Sequence, residues 1–323
     1  MKAAIYTEYG PPHVLRIEEV EKPSPNENQV LIKVHAASIN AKEYRMRNGK
    51  PFLVRAMIGG FLKPKDSRIG TDVAGRVEAV GENVKRFQPG DEVFGCCHGA
   101  FAEYVCARES ALALKPANAT FAQAAAVPLA ALTALQGIRY AGGIQPGQKV
   151  LIQGASGGVG TFAVQLAKFS GAQVTAVCST RNLDMARSIG ADHVIDYTKA
   201  DFTRNKQRYD LILAINGYHS LSAYKRALSP QGIYVCAGGA ILQFLQAMLL
   251  GSVMSEKGGR KLSNMGIAKI NQEDLISLAK LLEEGRITPV IDRIYPLSEI
   301  VDAFQHVEEK HAQGKVVVKI LKG

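Results

Sequence analysis

The run Gly154-Ala155-Ser156-Gly157-Gly158-Val159-Gly160 has residue types and spacing suited to phosphate chemistry. It follows the apolar segment Lys149-Val150-Leu151-Ile152 and opens Val159–Phe169, whose apolar spacing predicts a helix. Glycines allow a tight turn and let a pyrophosphate approach the backbone. The helix start then offers N–H groups without intrahelical partners and a partial positive charge. The spacing GxxGGxG is shifted from GxGxxG, so the strand–loop–helix context carries the motif. The next strand, Val174-Thr175-Ala176-Val177, ends on Cys178-Ser179-Thr180-Arg181-Asn182, with no acid until Asp184. NAD sites place an acid at such a strand end to hold the ribose hydroxyls. Two hydroxyls and a forked guanidinium suit a 2′-phosphate instead, which points to NADP. The plainer readings are a βα turn with no ligand and an exposed surface arginine.

Other reactive side chains form no pattern of this kind. The five cysteines, Cys96, Cys97, Cys106, Cys178 and Cys236, are odd in number in a long chain, so a disulfide framework is not expected and a reducing compartment, the cytoplasm, fits. Adjacent Cys96-Cys97 do not make a CxxC clip, and His13, His35, His98, His193, His219, His306 and His311 show no metal-ligand spacing. A formal net charge of +10 favours anionic ligands, including phosphorylated cofactors. The basic residues are scattered, which disfavours nucleic acid as a partner. The uncharged stretches 116–138 and 227–255 are broken by Pro128 and Pro230 and read as buried elements, so no membrane insertion is expected.

The elements that position these residues fall into two styles. At 323 residues the chain is too long for one core. Residues 1–120 read as short strands between turns, such as Val30–Val34, Arg76–Val80 and the Pro89-Gly90 turn. From Phe121 to 267, helices alternate with short apolar strands, which argues for a doubly wound parallel sheet. The last segment, 268–323, holds two helices and a final strand, Lys315–Ile320, expected to return to the first domain. The fold class is α/β, with domains 1–120 plus 268–323 and 121–267.

Four segments together resemble the zinc-free quinone oxidoreductase-like branch of the medium-chain dehydrogenases/reductases: Gly70-Thr71-Asp72-Val73-Ala74-Gly75, Pro89-Gly90-Asp91-Glu92-Val93-Phe94-Gly95, Val127-Pro128-Leu129-Ala130 with Thr133-Ala134, and Gly154–Gly160. The resemblance implies a GroES-like β-rich catalytic domain, an inserted Rossmann domain and a homodimer. Zinc-containing alcohol dehydrogenases bind catalytic zinc through Cys, His and Cys; the matching positions are Asn40, Thr71 and Leu129, so no metal is expected.

By the same resemblance Asn40 and Thr133 sit near the nicotinamide, and Ser156, Gly157, Gly158 and Val159 hold pyrophosphate. Ser179, Arg181 and Tyr197 surround the 2′-phosphate, and Lys315 approaches the cofactor from the last strand. Tyr44 is a candidate proton donor and equally a packing residue, with Glu43 and solvent as alternatives. Apolar segments 51–62 and 241–250 are candidate walls for a small hydrophobic substrate, or a buried helix pair or dimer contact. The expected activity is NADPH-dependent reduction of quinones or of C=C bonds conjugated to a carbonyl. The alternatives are an enoyl thioester reductase and a non-catalytic NADPH-binding protein, crystallin-like or nucleic-acid-binding.

Overall fold

The computed structural model describes residues 1–50, 52, 55, 60–239, 241–309 and 312–321. In chain order the elements begin with β1 (Lys2–Ile5), β2 (Arg16–Glu19), β3 (Gln29–Ile39), α1 (Ala41–Asn48), β4 (Asp72–Val80), β5 (Glu92–Cys96), β6 (Tyr104–Arg108), β7 (Leu112–Leu114) and α2 (Phe121–Ala126). There follow α3 (Pro128–Tyr140), β8 (Lys149–Gln153), α4 (Gly158–Phe169), β9 (Gln173–Cys178), α5 (Leu183–Ser188), β10 (His193–Asp196), β11 (Tyr209–Ala214), α6 (Leu221–Ala227), β12 (Leu228–Cys236), α7 (Ile241–Met254) and β13 (Lys261–Asn264). The chain ends with α8 (Gln272–Glu283), β14 (Ile291–Pro296), α9 (Ile300–Glu308) and β15 (Lys315–Lys319). Two compact units result, residues 1–129 with 270–323, and residues 130–269.

In the first unit β3 is the spine. Its β-branched start pairs with β6 and its whole length with β4, while its small-residue end, Ala36-Ala37-Ser38-Ile39, also takes β15 alongside. Among the described residues the sheet runs β14-β15-β3-β4-β5-β7. Its core gathers Val30, Ile32, Phe101, Phe304 and Val318, with Phe101 edge-on to Phe304. At the end of β3 the chain turns into α1. The Glu43 carboxylate reaches back to the Asn40 N–H at 2.8 Å, and the helix ends on Gly49 at φ 58°, a left-handed position suited to glycine. Residues 121–129, which by composition match the second domain, pack with the first. Thr120 and Gln123 cap α2 reciprocally, and buried Ala124, Ala125 and Ala126 let it lie close on β3, β4 and β15.

The second unit is a parallel sheet of order β10-β9-β8-β11-β12-β13 among the described residues. The order reverses between β8 and β11, which opens a crevice at the carboxyl ends of those strands. Leu151, Ile212, Tyr224 and Tyr234 lie in its core. Five of these strands follow from their apolar runs. The sixth, β13, has a single apolar residue, Leu262, in Lys261-Leu262-Ser263-Asn264, and exists because β12 offers it a pairing edge. Among the described residues no helix is long and apolar enough to cross a membrane.

Candidate active site

In the first unit, donors from four parts of the chain converge on the carboxylate of Asp72, which is fully buried at the start of β4. Ser38 Oγ and Asn40 Nδ2 each donate to Oδ2 at 2.9 Å, and Lys315 Nζ lies 3.2 Å from it. The Leu129 N–H donates to Oδ1 at 3.0 Å, and Cys96 Sγ is 3.8 Å from that oxygen. The antiparallel register Val316↔Ile39 places Lys315 beside Asn40. Lys315 Nζ donates to Asn40 Oδ1 as well, so the amide is gripped at both ends. A carboxylate so deep is tolerable only because an ammonium and four neutral donors, the Cys96 thiol among them, replace its water.

Thr71, one residue before Asp72, accepts a hydrogen bond from Lys42 Nζ at 3.4 Å, and its carbonyl accepts from the Cys97 N–H at 2.8 Å. Asn40, Thr71 and Leu129 are therefore neighbours, and none brings a thiolate or an imidazole. Among the described residues no group of three His, Cys, Asp or Glu side chains is placed to hold a metal ion. Burial pushes the Glu43 carboxyl up, Asp72 adds to the rise, and Thr71 and Lys315 oppose it. Burial, reinforced by Asp72, also drives the Cys96 and Cys97 thiols well above their usual range, so both stay protonated and unreactive.

In the second unit, β8 runs into Gly154 at φ 83°, and Val177 O accepts from the N–H groups of both Gly154 and Ala155, tying the loop to β9. The glycines of the loop differ in surroundings. A Cβ on Gly160 would stand 2.1 Å from Gly154 O, whereas on Gly157 it would meet only that oxygen, at 3.8 Å. Gly160 is therefore needed for the turn to pack against the helix, and Gly157 presents an open face. No side chain caps the start of α4, so its first-turn amides are available to an anion. At the end of β9, Ser179 Oγ accepts from Asn182 Nδ2 at 3.1 Å, Arg181 is exposed, and Tyr197 is half-exposed with its ring 6.2 Å from that of Tyr218. Asp196, at the end of β10, is engaged by the hydroxyls of Thr180 and Thr198, which hold its carboxyl below the usual range.

The structure thus brings Asn40 and Lys315 together, and Lys315, 2% exposed, serves to hold Asn40 and Asp72. Ser156 and Gly157 lie half-buried on the loop, Gly158 and Val159 half-buried at the start of α4, and Thr133 half-buried on α3. Tyr44 is not part of the Asp72 cluster; it packs against the core of the first unit. In the segment 241–250, Phe244 is partly buried and packs on the core of the second unit, while Met248, Leu249 and Leu250 are exposed. Phe52 is exposed with its ring 5.8 Å from Phe61; Met57 and His311 lie outside the described residues. Sequence reasoning missed Asp72, Lys42 and Asp196. The signal for Asp72 was a charged residue at the head of a buried strand, inside a segment already quoted for its pattern.

A family model described as an alcohol dehydrogenase GroES-like domain matches residues 26–117, and one described as a zinc-binding dehydrogenase matches 189–318. The 2-methylene-furan-3-one reductase of Solanum lycopersicum is 38% identical over 98% of this chain and 79% of its own. The NADPH-dependent alkenal/one oxidoreductase, chloroplastic, of Arabidopsis thaliana is 35% identical over 98% and 79%. The solved quinone oxidoreductase of Coxiella burnetii superposes with a TM-score of 0.86 at 32% identity, covering 99% of both chains. With the glycine loop on a parallel sheet and the Asp72 cluster in a GroES-like sheet, the chain belongs to the quinone oxidoreductase-like branch of the medium-chain dehydrogenases/reductases and is an oxidoreductase.

Proposed function

We propose that this enzyme reduces quinones, or C=C bonds conjugated to a carbonyl, with NADPH as the cofactor. The observation that carries the reading is the Asp72 cluster. Asn40, Thr71 and Leu129 stand where zinc-containing relatives place their ligands, and here Asn40 and the Leu129 N–H are committed to one buried carboxylate. Such a donor set has no means of holding a Lewis acid to polarise a simple ketone or alcohol. A conjugated acceptor delocalises incoming charge onto its own oxygen and does not need one. The relatives named above act on a methylene-furanone, on alkenals or -ones, and on quinones.

The residues present fit the cofactor. The open Gly157 face and the uncapped start of α4 suit pyrophosphate, with Ser156, Gly158 and Val159 beside it. Ser179, Arg181 and Tyr197 would meet the 2′-phosphate; the nearby acid, Asp196, is already occupied by Thr180 and Thr198. When bound, the nicotinamide supplies the hydride. Asn40, gripped by Asp72 and Lys315, and Thr133 would orient its ring. A homodimer in the cytoplasm completes the reading; free cysteines suit that compartment.

The test compares a medium-chain enone, a quinone and the matching saturated ketone at saturating NADPH. The enone and quinone should be consumed and the ketone left. Reduction of the ketone as fast as the enone overturns the reading. Arg181→Ala should weaken NADPH by roughly 1.5–3 kcal/mol and NADH hardly at all, as read by fluorescence titration. Equal affinity of the unmutated chain for the two cofactors would sink the assignment of NADPH.

A further inference from the structure

Lys42 is the second residue of α1, two positions after Asn40, and it is exposed. Its Nζ rests on Thr71 Oγ1 at 3.4 Å, at the long end of hydrogen-bonding range. No carboxylate compensates it among the described residues. Asp72, adjacent to Thr71, is already filled by Ser38, Asn40, Lys315 and the Leu129 N–H, and Glu43 is turned onto the Asn40 N–H. The charge is nevertheless felt inside the cluster: at Cys96 and Cys97 it opposes the rise that burial and Asp72 impose. The chain therefore holds two ammonium groups here with different duties. Lys315 is buried and spent on Asp72; Lys42 stands at the rim with its charge unspent.

We infer that Lys42 is the electrophilic and proton-donating group of the reaction, its ammonium meeting the oxygen of the conjugated acceptor. The inference rests on the reading that Asn40 marks the reaction centre. When the acceptor takes the hydride at its β-carbon, the C=C pair moves to the bond between the α-carbon and the carbonyl carbon. The carbonyl pair goes onto oxygen. A Lys42 Nζ–H hydrogen-bonds that developing oxyanion and gives it the proton, and the enol rearranges to the saturated carbonyl. The neutral amine then takes a proton from water. The balance is one hydride and one proton added across the C=C bond. A compact ammonium with three rotatable donors, untied to a carboxylate, is suited to this duty. Thr71 sets where it stands without neutralising it.

Two measurements test the assignment. In the first, Lys42→Met should lower kcat with an enone about 100-fold, the scale of a positioned general acid. NADPH affinity and the thermal unfolding midpoint should stay unchanged, and Lys42→Arg, whose guanidinium keeps the charge but does not give up a proton, should recover only a small part of the rate. A Lys42→Met enzyme within about threefold of the parent overturns it, since that is far below the general-acid contribution. In the second, 4-nitrophenol, whose phenolate mimics the enolate oxygen, is titrated into the cofactor-free chain and followed by its phenolate absorbance. The parent should bind it as phenolate and Lys42→Met should lose that signal; equal signals in both overturn the inference. The phenolate arm does not depend on turnover. If no conjugated acceptor is reduced by the parent, the proposed function fails, while the phenolate result still decides whether Lys42 holds an oxyanion.

Discussion

Asp72 shows why a site of this kind is hard to see one residue at a time. Its partners lie 32, 34, 57 and 243 positions away in sequence, so no local spacing announces them. Asn40 was singled out only through the family resemblance, and the carboxylate that aims its amide was missed. Lys315 carries the charge that makes the buried Asp72 tolerable, and Lys315→Met should cost about 3–5 kcal/mol in urea unfolding, as expected when a buried charge loses its partner. A loss below about 1 kcal/mol, the level of an exposed pair, would contradict the geometry. Glu43 makes a separate prediction. Burial raises its carboxyl above the ordinary value of 4.5, so the folded chain keeps this proton to higher pH than the unfolded chain does. Below that value the group costs nothing; as pH rises through it toward the folded value, folding loses stability. The amide introduced by Glu43→Gln would still accept from the Asn40 N–H and cannot titrate. The stability advantage of Glu43→Gln should therefore grow from pH 4.5 upward, the ordinary carboxyl value. An advantage that shrinks with pH would show the assignment wrong.

Among elements, those with a strong apolar pattern were legible and those defined by their neighbours were not. Strands β8, β9 and β11 are short aliphatic runs that could only be buried, while β13 is a strand because β12 has a free edge beside it. Helix α2 looked like part of the second domain because it is alanine-rich, yet its capping box and three buried alanines set it on the first sheet. The glycine loop was read from sequence as a phosphate motif, but the difference in surroundings among its glycines needed the structure. Gly157→Ala adds a methyl to an open face and should leave the unfolding midpoint unchanged; if the proposed pyrophosphate position is right, it should weaken NADPH about tenfold. Gly160→Ala puts a Cβ 2.1 Å from Gly154 O and 2.7 Å from Ala155, and should cost about 1–3 kcal/mol of stability as the turn is forced open. Thermal melts and NADPH titrations of both variants separate the two roles; the same phenotype in each would refute the distinction.

At the scale of the whole molecule, the two units differ in how the chain builds them. The first is made of two segments far apart in sequence, because β15 pairs with β3 and β14 pairs with β15. The second is one uninterrupted stretch whose strands, among the described residues, pair only with one another. The change of style near residue 121 was read as a domain boundary, and the last strand was expected to return to the first domain; the pairing of β15 with β3 now joins them. Folding autonomy should follow this asymmetry. A fragment of residues 1–129 leaves β3 without β15, Asp72 without Lys315, and Phe101 without Phe304. It should show no cooperative unfolding. A fragment of residues 128–269, starting at Pro128 where α3 begins, keeps every strand of its sheet, the glycine loop and the Ser179–Arg181 strand end. It should unfold cooperatively in urea and bind NADPH in preference to NADH by a ratio within about tenfold of the full chain, since roughly 1.4 kcal/mol covers that factor. Circular dichroism and fluorescence titration of the two fragments make the comparison. A folded 128–269 fragment that binds both cofactors equally would mean that cofactor choice is made by residues outside it, and the roles given to Arg181 and Tyr197 would have to be withdrawn.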